Sequence, residues 1–143
     1  MMSDTTPKPV VIKKGSESVD TGQSGGLALI TGVGSKNTPA SKVWMGVGSN
    51  KPGGRSKPHH HADAETACYV LSGKMRMYYG ENFSSYLDMS QGDYFFVPAH
   101  MPHIEANMSL TEDMVCVVSR SPGDIVVNLP DVDDEILVGY RRG

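Results

Sequence analysis

Glycine and proline punctuate this chain closely enough to decide its fold class. The 143 residues include 16 Gly and nine Pro, which divide the sequence into runs of roughly five residues at intervals of roughly ten. Few windows hold a helical period. Short strands so spaced predict an all-β sandwich or barrel. The expected strands cover residues 10–13, 27–32, 42–48, 67–71, 74–79, 84–89, 94–97, 114–118 and 125–129, with Ser72-Gly73 read as a hairpin turn. A polar, glycine-rich loop is expected over 49–57.

A chain of this length holds one domain with a modest core. The expected division is a leader with an edge strand over 1–22, a barrel over 23–130 and a tail over 131–143. Residues 5–9 and 141–143 are expected to lack fixed structure. The formal net charge is -3 with Lys and Arg scattered, so no basic face is expected to meet nucleic acid. No run approaches the roughly 18 apolar residues of a membrane span, and 1–14 lacks the apolar core of a signal peptide, so a cytoplasmic protein is expected. Cys68 and Cys116 lie far apart in apolar runs and read as buried thiols. The acidic run over 131–135 reads as a solvated loop.

All five histidines fall in two segments: His59, His60 and His61, then His100 and His103. Histidine is the commonest metal ligand, and its confinement to two places points to a site. If 59–61 lie in a strand, His59 and His61 project from one face and His60 from the other. Two imidazoles about 6 to 7 Å apart at the backbone can converge on one ion. Glu65 follows after three residues and could return a carboxylate to it, and His103 would complete the set from a strand beyond Pro98. Three nitrogens and one carboxylate suit Zn, Fe(II), Mn(II), Ni or Co, and an octahedral metal keeps two positions open for water, substrate or dioxygen.

Gly53, five residues, His59-His60-His61, three residues, Glu65 and then Gly73 resembles the first motif of the cupin family. Gly92, five residues, Pro98, then His103 and Asn107 resembles the second; together the motifs cover 53–107. The resemblance implies a single-domain cupin-type double-stranded β-helix, a jelly-roll barrel. It implies one divalent metal (Fe, Mn, Ni, Zn or Co) held by His59, His61, Glu65 and His103, and commonly a homodimer built by sheet-to-sheet pairing. The implied function is that of a metal-dependent enzyme acting on a small organic molecule, of dioxygenase, decarboxylase, lyase or isomerase type, with Glu65 or His100 moving a proton. The alternative is a non-catalytic sensor or binding cupin, since the fold does not fix function.

Two positions depart from the motifs. Spacing puts Thr66 where the ligand glutamate stands, so either a bulge turns Glu65 inward or the site uses three histidines with Glu65 nearby. His100 stands where the second motif has glycine, which alters the turn. Elsewhere, Met75, Met77, Tyr79, Tyr94 and Phe96 alternate along two strands, and half of them are expected to line the barrel. Arg76 and Tyr78 fall on the other face, read as exposed. Trp44 reads as core or dimer interface and Asn107 as a loop holder through backbone hydrogen bonds. Arg55 and Lys57 read as solvated loop charges that could also meet an anionic substrate.

Overall fold

The punctuated runs become ten short strands among the residues that the computed structural model describes, 6–19 and 21–142. One sheet holds, in spatial order, β1 (Ala28–Val33), β2 (Trp44–Asn50), β9 (Met114–Ser121), β4 (Glu65–Ser72) and β7 (Tyr94–Val97). The other holds β10 (Val127–Asn128), β3 (His59–His60), β8 (His103–Asn107), β5 (Lys74–Tyr79) and β6 (Ser85–Ser90). From β2 onward the chain alternates between the sheets at every connection except β5–β6, and the strand pairs are antiparallel. That winding is the double-stranded β-helix, or jelly roll. Of the stretches expected to lack fixed structure, Thr5 and Gly143 lie outside the described residues. No helix among the described residues is long and apolar enough to cross a membrane.

Alternation along the strands supplies the core. Trp44 on β2, Cys68 and Val70 on β4, Met75 and Met77 on β5, and Met114, Cys116 and Val118 on β9 turn inward and pack with Leu27, Leu29, Met89 and Val97. Both cysteines are free and buried. Residues facing the interior recur every second position because successive strand side chains point to opposite faces.

Several expectations are corrected by packing. Residues 10–13 form no strand; the leader meets the edge of β1 at a bridge from Ser18 to Thr31 and through the Thr21 and Thr31 hydroxyls, 2.6 Å apart. Ser72-Gly73 is no hairpin turn, because β4 and β5 belong to different sheets. Gly73 has φ +89°, and a Cβ there would stand 2.6 Å from the Asp113 carbonyl oxygen, so the sharp passage between sheets requires glycine. Of the alternating set expected to line the barrel by half, Met75 and Met77 do so, while Tyr94 and Phe96 point outward and are exposed. Tyr78, expected on an exposed face, is fully buried: Leu137 and Tyr140 fold back over it together with Ile104 and Ala106, and its hydroxyl donates to the Val138 carbonyl at 2.6 Å.

The C-terminal segment is held there by a residue expected to be solvated. Arg55 is buried, pairs with Asp134 at 2.8 Å and Asp131 at 3.1 Å, and donates to the Val132 carbonyl at 2.9 Å. The acidic run over 131–135 is therefore half of an ion-pair clamp. Asn107 holds a loop as expected, its Nδ2 donating to the carbonyls of Asn50, Lys51 and Glu112.

Candidate metal centre

β3 lies between β10 and β8, which sets the two histidine segments side by side. His59 opposes His103 in register, and their ring centroids are 4.3 Å apart. His61 returns to the same side two residues on, its ring 4.9 Å from that of His59 and 5.2 Å from that of His103. His59 and His103 are 0% exposed and His61 3%. His60 points away, its Nδ1 accepting from the Ala62 N–H at 3.0 Å.

The three rings are oriented by main-chain carbonyls. Nδ1 of His59 lies 2.8 Å from the Lys57 oxygen, that of His61 2.8 Å from Ile125, and that of His103 2.9 Å from Met101. A carbonyl only accepts, so Nδ1 carries the proton in each ring and Nε2 keeps its lone pair. All three Nε2 atoms are buried without a hydrogen-bond partner, and the ligand atoms of the three residues lie within 4.8 Å of one another. Unpaired buried nitrogens are costly, and three of them converging on one point fit a divalent cation.

Electrostatics keep these rings ready to ligate. Burial, with the charges of His103 and Arg120 adding to it, lowers the His59 pKa from 6.5 to about 4. Burial followed by the charges of Arg120, His103 and His59 lowers that of His61 to about 3. Both rings are neutral, as ligands must be, at any pH near 7.

The structure does not bring Glu65 to this group. On β4, Thr66 is buried and Glu65 exposed; the strand's irregularity falls between Val70 and Ser72, too far along to rotate Glu65 inward. Of the two arrangements open from the sequence, the structure has the three histidines without that carboxylate. His100 is also outside the group: it sits at φ +60° with its ring 2.7 Å from an Asp63 carboxylate oxygen at the surface. The buried carboxylate is instead Glu105, two residues beyond His103 on the same face of β8, with Oε1 3.3 Å from His103 Nε2. Burial by itself raises the Glu105 pKa; a proton on His103 Nε2 outweighs it, through its hydrogen bond and charge, and brings the pKa to about 2. Strand alternation through His103, Glu105 and Asn107 was the available signal. Arg120, buried at the end of β9, was hidden because the expected strand stops at 118.

Residues 48–119, just over half of the chain, match the cupin domain family. No curated protein resembles the chain closely enough in sequence to count as a relative. Among solved structures, the polyketide cyclase RemF from Streptomyces resistomycificus superposes with a TM-score of 0.67 at 17% identity, over 92% of this chain and 91% of that one. An oxalate oxidase superposes at 0.66 with 21% identity over 87% and 70% of the two chains. A double-stranded β-helix protein from Klebsiella pneumoniae subsp. pneumoniae MGH 78578 does so at 0.62 with 16% identity, over 73% and 85%. At such identities the likeness is one of fold. With both motifs in place, the fold of a double-stranded β-helix and residues 48–119 matching the domain, the chain belongs to the cupin family.

Proposed function

We propose that this cupin is an enzyme that holds a single divalent metal ion at His59, His61 and His103 and acts on a small organic molecule. The observation that carries the reading is the set of three buried, unpartnered Nε2 lone pairs on histidines whose ligand atoms lie within 4.8 Å of one another, each ring pinned through Nδ1. When bound, the ion supplies a Lewis acid with coordination positions left for substrate. Glu105 is the carboxylate that offsets part of its charge, replacing Glu65 in that role. Its oxygen and the His103 lone pair, 3.3 Å apart in a buried site, repel each other unless a proton or cation stands by them. The core between the sheets, which includes Val70, Met75, Met77, Met114 and Val118, is apolar, and an apolar surrounding suits a small organic substrate. Dioxygenase chemistry is the reaction type tested first, with decarboxylase, lyase and isomerase chemistry next.

The outer face of the first sheet favours a homodimer. Ile30, Val47, Val117, Tyr69 and Tyr94 stand opposite one another across its five strands. An apolar row spanning a whole sheet on the side away from the core is what a second copy would cover. Two free thiols suit a reducing compartment such as the cytoplasm.

Elemental analysis of protein purified without a histidine tag tests the metal reading: near-stoichiometric metal is expected, and its loss in His61→Ala. Oxygen uptake after anaerobic Fe(II) loading, across small carboxylates and phenols, then separates oxygenase chemistry from the other activities. Metal without turnover of any kind would leave a binding protein. No metal in wild type, even after loading, would overturn the reading.

A further inference from the structure

The inward series of β9 runs Met114, Cys116, Val118 and then Arg120, so a strand that otherwise feeds the apolar core ends its buried face on a guanidinium. Arg120 is 3% exposed. In register it stands between Trp44 on β2 and Thr66 on β4. Its guanidinium carbon lies 4.8 Å from the Trp44 ring centroid, a contact that holds the cation through its charge and needs none of its N–H groups. Two of its three nitrogens, Nε and Nη1, are buried without a hydrogen-bond partner, and so is the neighbouring Thr66 Oγ1. Among the described residues, no carboxylate reaches Arg120 within ion-pair distance; Arg55, by contrast, has two. A buried cation is rarely left with unmade hydrogen bonds, because its desolvation is then uncompensated.

The position of this cation matters as much as its isolation. Arg120 turns inward from β9 in one sheet and His59 and His103 turn inward from β3 and β8 in the other, so the cation and the histidine group share the interior between the sheets. Among the described residues the other buried charges are Arg55, which is paired with Asp131 and Asp134, and Glu105, which cancels Arg120 formally. A divalent ion at the histidines then leaves the interior with an excess of two positive charges. A ligand that brings negative charge relieves that excess in a medium of low dielectric constant.

We propose that Arg120, with the Thr66 hydroxyl beside it, anchors a carboxylate group of the substrate, so that the site takes small organic acids oriented between this anchor and the histidine group. The second half of that statement rests on the metal reading; the first does not. A guanidinium offers planar, paired donors matched to a carboxylate, and the hydroxyl adds one more.

Isothermal titration of malonate, acetate and the uncharged 1,3-propanediol tests the anchor, on metal-free and Mn(II)-loaded protein after unbound metal is removed. The proteins compared are wild type, Arg120→Met, Arg120→Lys and Thr66→Val, each checked for fold by circular dichroism and for metal by elemental analysis. Malonate is expected to bind wild type in both forms, more tightly with metal, and far better than the diol. Arg120→Met is expected to weaken malonate about 30-fold and to erase the preference over the diol, with metal content unchanged. Arg120→Lys, which keeps the charge but not the fork, is expected to lose about fivefold. Should the methionine variant fail to fold, the lysine and Thr66→Val variants carry the test. Equal malonate affinity in wild type and folded Arg120 variants would overturn the inference, as would wild type that binds neither acid in either form. Wild type that takes no metal yet loses malonate on Arg120→Met would sink the metal reading and keep the anchor.

Discussion

Acid should unfold the metal-free protein earlier than its carboxylates alone would dictate, because His59 and His61 are buried as neutral bases. Their pKa values fall from 6.5 to about 4 and about 3. The unfolded chain takes up protons on both residues below about pH 6.5, whereas the folded chain refuses them until pH 4 or lower, so stability rises with pH across that window. It is complete above about pH 6.5 and is lost as the pH falls toward 4. At roughly 1.4 kcal/mol per pKa unit, His59 alone accounts for about 3 kcal/mol. His61 does not simply add to this, since part of its own shift comes from the charge of His59. With both protons in play the slope reaches about 2.7 kcal/mol per pH unit, against a total stability of about 5–15 kcal/mol for a domain. Glu105, whose pKa falls from 4.5 to about 2, contributes stability present above about pH 4.5 and lost as the pH falls toward 2, so it overlaps only the lower end of the histidine window. Urea unfolding in the presence of a chelator at half-unit steps from pH 7.5 to pH 4.5 gives the slope directly. His61→Gln should reduce it by about 1.4 kcal/mol per pH unit. A free energy of unfolding flat between pH 7 and pH 5, or a slope untouched by both His59→Gln and His61→Gln, would refute the argument.

Other expectations rest on packing. Gly46→Ala would place a Cβ 2.2 Å from the Ile30 carbonyl oxygen and 2.7 Å from the Trp44 ring; overpacking of that kind should cost about 3 kcal/mol in thermal unfolding. Arg55→Ala removes the clamp on Asp131, Asp134 and the Val132 carbonyl, so a loss of about 2–3 kcal/mol and new proteolytic cleavage beyond residue 130 are expected. Val117→Asp, in the centre of the apolar outer row, should convert a dimer to a monomer in light scattering, and wild type that is already monomeric would remove the dimer from the proposal.

Much of the site was legible because its signals are local. Confinement of histidine to 59–61 and 100–103 pointed to the group, and a period of two separated His59 and His61 from His60. The identity of the buried carboxylate was less accessible. Glu65 and Thr66 are adjacent, and a single residue of register decides which faces inward; the ladder from Thr66 to Val97 and Arg120 settles it in favour of threonine. Glu105 escaped notice because a glutamate on a strand ordinarily reads as exposed, and only a strand covered on both faces buries every residue from 103 to 107.

What the sequence determined by itself is whatever follows from spacing along the chain: short strands from closely set glycine and proline, an inner face from alternation, and the histidines that share a side. What only the tertiary structure decided is everything that depends on which strands become neighbours. Gly73 marks a passage between sheets, Tyr78 is buried by a C-terminal segment nearly sixty residues away, and Arg55 finds its carboxylates more than seventy residues on. Arg120 likewise meets Trp44 and Thr66 only because β9 lies between β2 and β4. Those contacts join residues remote in sequence, and no local pattern encodes the pairing that brings them together.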